Sequence, residues 1–168
     1  NHNVYMKIII IKKDTLLYDE FKFKCSIGKN GRTTKKIEGD NKTPKGLYAL
    51  GPLYFRKDRV SQISTKLKKI EIKKNFGWCD DIKSKLYNKP IKINNKIRHE
   101  KLYRNDKKYD LLIPIEYNSN KPKKNKGSAI FLHLTTNYKK TRGCVAIKEK
   151  DMLILLKLIN KKTKIKII

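Results

Sequence analysis

The sequence predicts a mainly β protein with long loops and one main helix near its C-terminal end. Three observations predict it. Short β-branched and aromatic runs recur along the chain, Gly and Pro punctuate the polar stretches between them, and only one segment carries apolar residues at 3.6-residue spacing.

Taken in order, "VYMKIIIIKKDTLLYDEFKFKCSIG" holds β-rich runs around a polar "KKDT" break, which predicts an opening antiparallel hairpin. Gly28, Gly31, Gly39 and Pro44 punctuate "GKNGRTTKKIEGDNKTPKGLYAL", a long polar connection into a short strand, and loops of that length often carry function. In "GPLYFRKDRVSQISTKLKKIEI", Leu67, Ile70 and Ile72 mark one further strand. The Gly- and Pro-bounded "NFGWCDDIKSKLYNKPI" reads as a loop. A β-type run follows at 109–117, then the charged turn "SNKPKKNKG".

Next comes "IFLHLTTNYKKTRGCVAI", two apolar runs joined by a short basic connection, which reads as a hairpin. "KEKDMLILLKLI" is the helix, with Met152, Leu155, Leu156 and Ile159 on one face and Asp151 near its beginning. A last strand, "TKIKII", completes a mainly antiparallel architecture without internal repeats.

A chain of 168 residues is long enough for one core, so residues 1–168 are expected to form a single domain. The first residue is not Met, which makes residues 1–5 a remnant of processing or of an added leader, with Met6 as one native start. No apolar run reaches the roughly 18 residues of a membrane-crossing helix.

The net charge of +28 attracts polyanions, whether nucleic acid, anionic lipid or an acidic envelope polymer. Lysines are spread along almost the whole chain, as a biased composition would leave them. A nucleic-acid-binding protein is the rival that charge alone suggests, yet zinc-finger, RNA-recognition and dense basic-helix patterns are missing, so no nucleic-acid partner is expected. The three cysteines, Cys25, Cys79 and Cys144, show no Cys/His pair at zinc-ligand spacing, and neither a metal nor a cofactor is expected. A Cys25–Cys79 bridge with Cys144 free stays open.

Chemistry concentrates in the last hairpin. A thiol with a free pKa near ~8.5 is mostly neutral at pH 7, and a neighbouring imidazole can accept its proton. If residues 128–134 and 143–147 pair as antiparallel strands, His133 and Cys144 meet at one end of the ladder. They are then either a nucleophile with its base or a small buried hydrophobe beside a core histidine. Gly143 removes bulk beside the thiol, and the Gly143 and Cys144 N–H groups are candidate oxyanion donors. Arg142 would lower the thiol pKa or hold a substrate carboxylate, and Thr141 would orient the imidazole.

The stretch "GSAIFLHL...TRGCVAI" resembles the catalytic motif of the L,D-transpeptidase (YkuD-type) family, in which a His precedes a Ser/Thr-x-Gly-Cys segment. "GDNKTPKGLYAL" is similar to that family's TP-x-G segment, and "GWCDDIKSKLYNKP", "LYRNDKKYDLLIPIEYN" and "KGSAIFLH" resemble a compact Gram-negative subgroup. The resemblance spans residues 25–168. It implies a β-sandwich catalytic domain that cross-links peptidoglycan stem peptides through a cysteine thioester, working as a monomer in the periplasm or cell envelope.

Under it, Cys144 maps onto the nucleophile, His133 onto the base and Gly143 onto the glycine before the cysteine. Arg142 stands where the family commonly has His, and the ten-residue link between His133 and Cys144 is shorter than usual. These departures bear on substrate choice. The alternative is a cysteine L,D-carboxypeptidase or endopeptidase that trims stems. For the cleft, Trp78 and Tyr87 offer flat walls, Asn88 and Asn118 amide hydrogen bonds, and Asp80 or Asp81 a partner for a diamino-acid ammonium; each also has a structural reading, Trp78 as a core anchor and the Asp80-Asp81 pair as a turn cap. His99-Glu100 reads as a solvated loop or as a pair supporting the site from behind, and Arg56, Asp58 and Arg59 as surface or loop-fixing ion pairs.

Overall fold

The computed structural model describes residues 7–168, so the expectations for residues 1–6 lie outside the described residues. The chain is mainly β with one helix, as the sequence predicts. β1 (Ile8–Lys12), β2 (Thr15–Tyr18) and β3 (Phe21–Lys24) form the expected opening hairpin, extended to a meander, with Lys13 at φ +52° in the first turn. β4 (Arg32–Thr33) and β5 (Thr43–Pro44) pair inside the long polar connection, and β6 (Gly46–Ala49) follows. β15 (Lys164–Ile167) inserts between β1 and β6, giving a sheet ordered β3-β2-β1-β15-β6.

A second five-stranded sheet, ordered β14-β13-β12-β7-β8, uses β7 (Leu53–Phe55), β8 (Lys69–Glu71), β12 (Leu111–Pro114), β13 (Phe131–Leu134) and β14 (Val145–Ile147). A third sheet, β10-β9-β11, is built from β9 (Phe76–Cys79), β10 (Pro90–Lys92) and β11 (His99–Lys101). The sequence reading placed β9 in a loop, because "NFGWC" is flanked by Asn and Asp and lacks clean alternation. Pairing on both sides, with Pro90 confined to an edge strand, makes it a central strand instead.

The second sheet is buried on both faces. Leu111, Ile113, Leu132, Leu134, Val145 and Ile147 face the main core, shared with Ile9, Ile11, Leu16 and Ile165 of the first sheet. Leu112, Phe131 and Cys144 face a smaller core with Trp78, Leu102 and Tyr109. Two-sided burial explains why these strands read as continuous apolar runs rather than alternating ones.

Among the described residues most strand pairs are antiparallel, as expected, and four are parallel: β1/β15, β4/β5, β7/β8 and β13/β14. The last overturns the hairpin expected at residues 130–147. After Leu134 the chain turns through Tyr138 at φ +57°, and Thr141 bridges Gly28. It thus regains the starting level of β13 and re-enters alongside it, with Leu132 opposite Val145.

α1 (Glu149–Leu158) lies on the main core, with Met152, Leu155 and Leu156 buried. Glu149 and Asp151 in its first turn and Lys157 in its last complement the helix dipole. Truncating fully buried Leu155 to Ala should therefore cost roughly 2–5 kcal/mol, read as a lowered denaturation midpoint with an unchanged urea m-value.

Candidate active site

Strand alternation settles which side chains can meet. In β13, Leu132 and Leu134 point to the main core, so Phe131 and His133 point the other way. In β14, Val145 and Ile147 point to the main core, so Cys144 and Ala146 share the face of His133. The register sets Ala146 opposite His133 and Val145 opposite Leu132, which leaves Cys144 level with Phe131, one diagonal step from His133. Thiol and imidazole open on one cleft of about 430 Å³. The parallel pairing thus brings together by another route the pair that an antiparallel hairpin was expected to join.

Cys144 is 9% exposed and His133 3%. The thiol donates to the Ala129 carbonyl at 3.2 Å, and its sulfur accepts the Phe131 N–H at 3.3 Å. Burial, reinforced by the Glu100 carboxylate, pushes the thiol pKa up to about 12, while Lys108 and Lys36 act in the opposite direction. Nδ1 of His133 bonds the Leu134 carbonyl at 2.8 Å, which makes it the protonated nitrogen and leaves the Nε2 lone pair free. Burial lowers the imidazole to about 4. At neutral pH the pair rests as neutral thiol and neutral imidazole.

Gly143 has φ +146°, and a Cβ there would lie 2.9 Å from the Lys42 carbonyl. Backbone conformation and space both demand glycine. The Gly143 N–H donates to the Thr141 hydroxyl at 3.1 Å, and that hydroxyl donates to the Cys144 carbonyl at 2.6 Å. Thr141 therefore closes the turn around the nucleophile rather than orienting the imidazole, whose partner is Leu134. Arg142 is exposed on the rim of the cleft, and the cations that favour the thiolate are Lys108 and Lys36.

Four expected cleft residues form scaffold instead. Trp78 is buried, donates Nε1–H to Asn88 Oδ1 at 2.9 Å and packs edge-on to Phe131, 5.0 Å between centroids. Tyr87 is buried, donating to Glu38 at 2.7 Å and accepting the Gly127 N–H at 3.0 Å. Asn88 Oδ1 also accepts the Ala129 N–H at 3.0 Å, and its Nδ2 donates to the Tyr117 and Asn118 carbonyls. Asn118 spends its amide on Lys123 and Gly127. Their hydrogen-bonding groups are consumed in holding the 118–129 segment, so they have little left for a ligand.

Asp80 lines the cleft, 3.6 Å from Arg98, with a buried Oδ1 that has no hydrogen-bond partner among the described residues. Burial raises its carboxyl. Asp81 instead caps the turn at Lys83 and bonds the Arg98 N–H. Glu100, expected in a solvated loop with His99, sits in β11 facing the cleft, where it accepts the Tyr109 hydroxyl. Arg56 and Arg59 fix loops as expected, Arg56 on Asp58 and the Arg104 carbonyl, Arg59 on Asp110.

Sequence reasoning missed Lys36, Glu38 and Tyr109, and reached Glu100 only as a supporting residue; all four line the cleft. Lys36, buried and paired with Asp40 at 2.5 Å, and Glu38, which bonds Tyr87, lie in the long polar connection whose length was the only signal. All three cysteines are free among the described residues, which leaves no Cys25–Cys79 bridge.

The family model of the L,D-transpeptidase catalytic domain (YkuD) matches residues 6–167. Among solved structures the fold is similar to that of the helical cell shape determining protein Pgp2 from Campylobacter jejuni, at 18% identity, TM-score 0.55, over 96% of this chain and 47% of that one. It is also similar to Bd1075 of Bdellovibrio bacteriovorus, at 16% identity, TM-score 0.52, over 97% of this chain and 48% of that one. The chain thus spans about half the length of the solved structures it matches. No curated protein matches it significantly.

Two outcomes follow from this geometry. Alkylation of Cys144 by iodoacetamide should climb about tenfold per pH unit from pH 7 to 10, because the thiolate fraction does; a plateau between pH 5 and 8 would instead reveal a resting thiolate–imidazolium pair. Asn88→Ala strips partners from the Trp78 and Ala129 N–H groups and should cost on the order of 3 kcal/mol in chemical denaturation.

Proposed function

Because this chain belongs to the L,D-transpeptidase catalytic-domain family, which acts on peptidoglycan, we propose that it is a stem-peptide transpeptidase working through a Cys144 thioester. The observation that carries this reading is the placement of Cys144 and His133 on one face of one sheet, open to one cleft. The thiol attacks the carbonyl of the bond between an L-centre and a D-residue in the donor stem and passes its proton to His133 Nε2. Collapse of the tetrahedral adduct expels the amine, which takes that proton, and leaves the acyl group on sulfur. An acceptor amine then attacks the thioester, gives its proton to His133 and frees the thiol. The Cys144 N–H is the donor for the oxyanion, since Thr141 holds that of Gly143.

The cleft is zwitterionic. Lys36, Arg98, Arg104, Lys108 and Arg142 stand with Glu38, Asp80 and Glu100 around the thiol, which suits a stem residue whose side chain carries an ammonium and a carboxylate. Asp80 Oδ1, which accepts no hydrogen bond among the described residues, is the natural acceptor for the ammonium, and Arg142 the donor to the carboxylate. Such an ammonium also offsets the Glu100 charge that raises the thiol, so docking favours ionisation. A second cavity of about 420 Å³ reaches His133 from the side of Lys107, Lys139 and Lys140 and gives an acceptor stem room to approach. This second approach favours transfer over hydrolysis.

The positive surface would hold the protein, acting as a monomer in the periplasm or envelope, against carboxylate-rich wall. Incubation with purified stem peptides and mass analysis tests the reading. Cross-linked dimers should form and vanish with Cys144→Ala, and a carbapenem should add its mass to Cys144. Shortened stems without dimers would assign the protein to L,D-carboxypeptidases or endopeptidases, and turnover by Cys144→Ala would remove the thioester altogether.

A further inference from the structure

The imidazole has an incomplete set of supports. Its one hydrogen bond among the described residues runs from Nδ1 to the carbonyl of the next residue, Leu134, and no carboxylate reaches the ring. A bond so local sets the tautomer but fixes poorly how the ring is aimed across the strands at Cys144. What does face the ring is Tyr109, edge-on with centroids 5.4 Å apart and planes at 72°.

Tyr109 is itself held from three directions. Its hydroxyl donates to Glu100, its ring meets Phe131 edge-on at 5.6 Å, and the Arg104 guanidinium lies 5.2 Å from its centroid. Glu100 is fixed in turn by its place in β11, opposite Trp78 of β9. A largely buried carboxylate is costly, and this one is spent on a single tyrosine hydroxyl. Resting on the function proposed above, we infer that Tyr109 is the positioning residue of His133: its ring, latched by Glu100, keeps the imidazole dry and aimed at the thiol.

The charges around His133 do not perform this task. Arg104 and Lys108, from the segment between β11 and β12, oppose its protonation, and Asp106 of the same segment favours it. Lys139, Lys140 and Arg142, from the connection between β13 and β14, border the same cavity, as does Lys107, while Cys144 and Glu100 stand across the cleft. Exclusion of water is the largest influence holding the imidazole neutral, and Tyr109 is an aromatic wall of that site. The device acts through His133 and asks nothing of the substrate.

The test titrates the His133 ring by NMR in the wild type, Tyr109→Phe, Tyr109→Ala and Glu100→Ala, alongside kcat and KM on stem peptides. The wild-type midpoint should lie near 4, and Tyr109→Phe, which keeps the aromatic wall but removes its bond to Glu100, should raise it in the same direction as Glu100→Ala and by less than Tyr109→Ala. Tyr109→Ala should raise it by roughly 1 unit or more toward the ordinary ~6.5, with kcat reduced about tenfold at nearly constant KM. Glu100→Ala leaves the tyrosine in place should Tyr109→Ala not fold. Removing a negative charge would by itself lower the midpoint, so a rise in this variant identifies water reaching a loosened ring.

A wild-type midpoint near 6.5, or variants that leave it unmoved, overturns the inference whatever the protein does to stem peptides. Midpoints that move as stated support it, and if stem peptides are then untouched, the function proposed above is what fails.

Discussion

Everything at the site depends on one constraint, the burial of the β14-β13-β12-β7-β8 sheet on both faces. Side chains that alternate along β13 and β14 have no solvent face to choose, so each is assigned to the large core or the small one. Leu132, Leu134, Val145 and Ile147 take the large core. That assignment alone commits His133 and Cys144 to the opposite side. A slip of one residue in either strand would exchange leucine or valine for the reacting pair, at the cost of an apolar core as well as a site.

The third sheet converts this face into a cleft. β9 contributes Trp78 as the floor beneath Phe131, and β11 contributes Glu100 at the rim. The long connection after β3 brings Lys36 and Glu38 from the other side and presses the Lys42 carbonyl against Gly143. The charge of +28, which invites thoughts of polyanions, is partly offset around the Cys144 sulfur by Glu38, Asp80 and Glu100. Field strength at the thiol is thus set by a few partly buried groups and hardly by the surface lysines, which water and salt screen.

The sequence announces the site more clearly than the path that builds it. Cys144, Gly143 and His133 stand out as candidates because a motif fixes residue types at short spacing, and α1 was legible because Met152, Leu155, Leu156 and Ile159 keep one period. The direction of β14 was not legible, since ten polar residues can close a hairpin or turn back through Tyr138, and only contact with Ile27–Lys29 decides. Trp78, Tyr87, Asn88 and Asn118 were misread for a related reason. Aromatic and amide groups suit a cleft and a scaffold equally, and the partners that consume them lie from 5 residues away, for Asn118 with Lys123, to 49, for Tyr87 with Glu38. Tyr109 read only as the start of a β-type run, with nothing to tie it to His133.

The placement of β15 between β1 and β6 has a further bearing, on biogenesis. A ribosome delivers β1, β2 and β3 before β15, and the seat beside β1 stays vacant until residues 164–167 emerge, about 150 residues later. Until then the nascent meander shows an unpaired apolar edge, a template for stray β-pairing as well as for β15. The first sheet therefore cannot close until β15 has been made, and the meander stays open to chaperones or transport while the residues between β3 and β15 are synthesised.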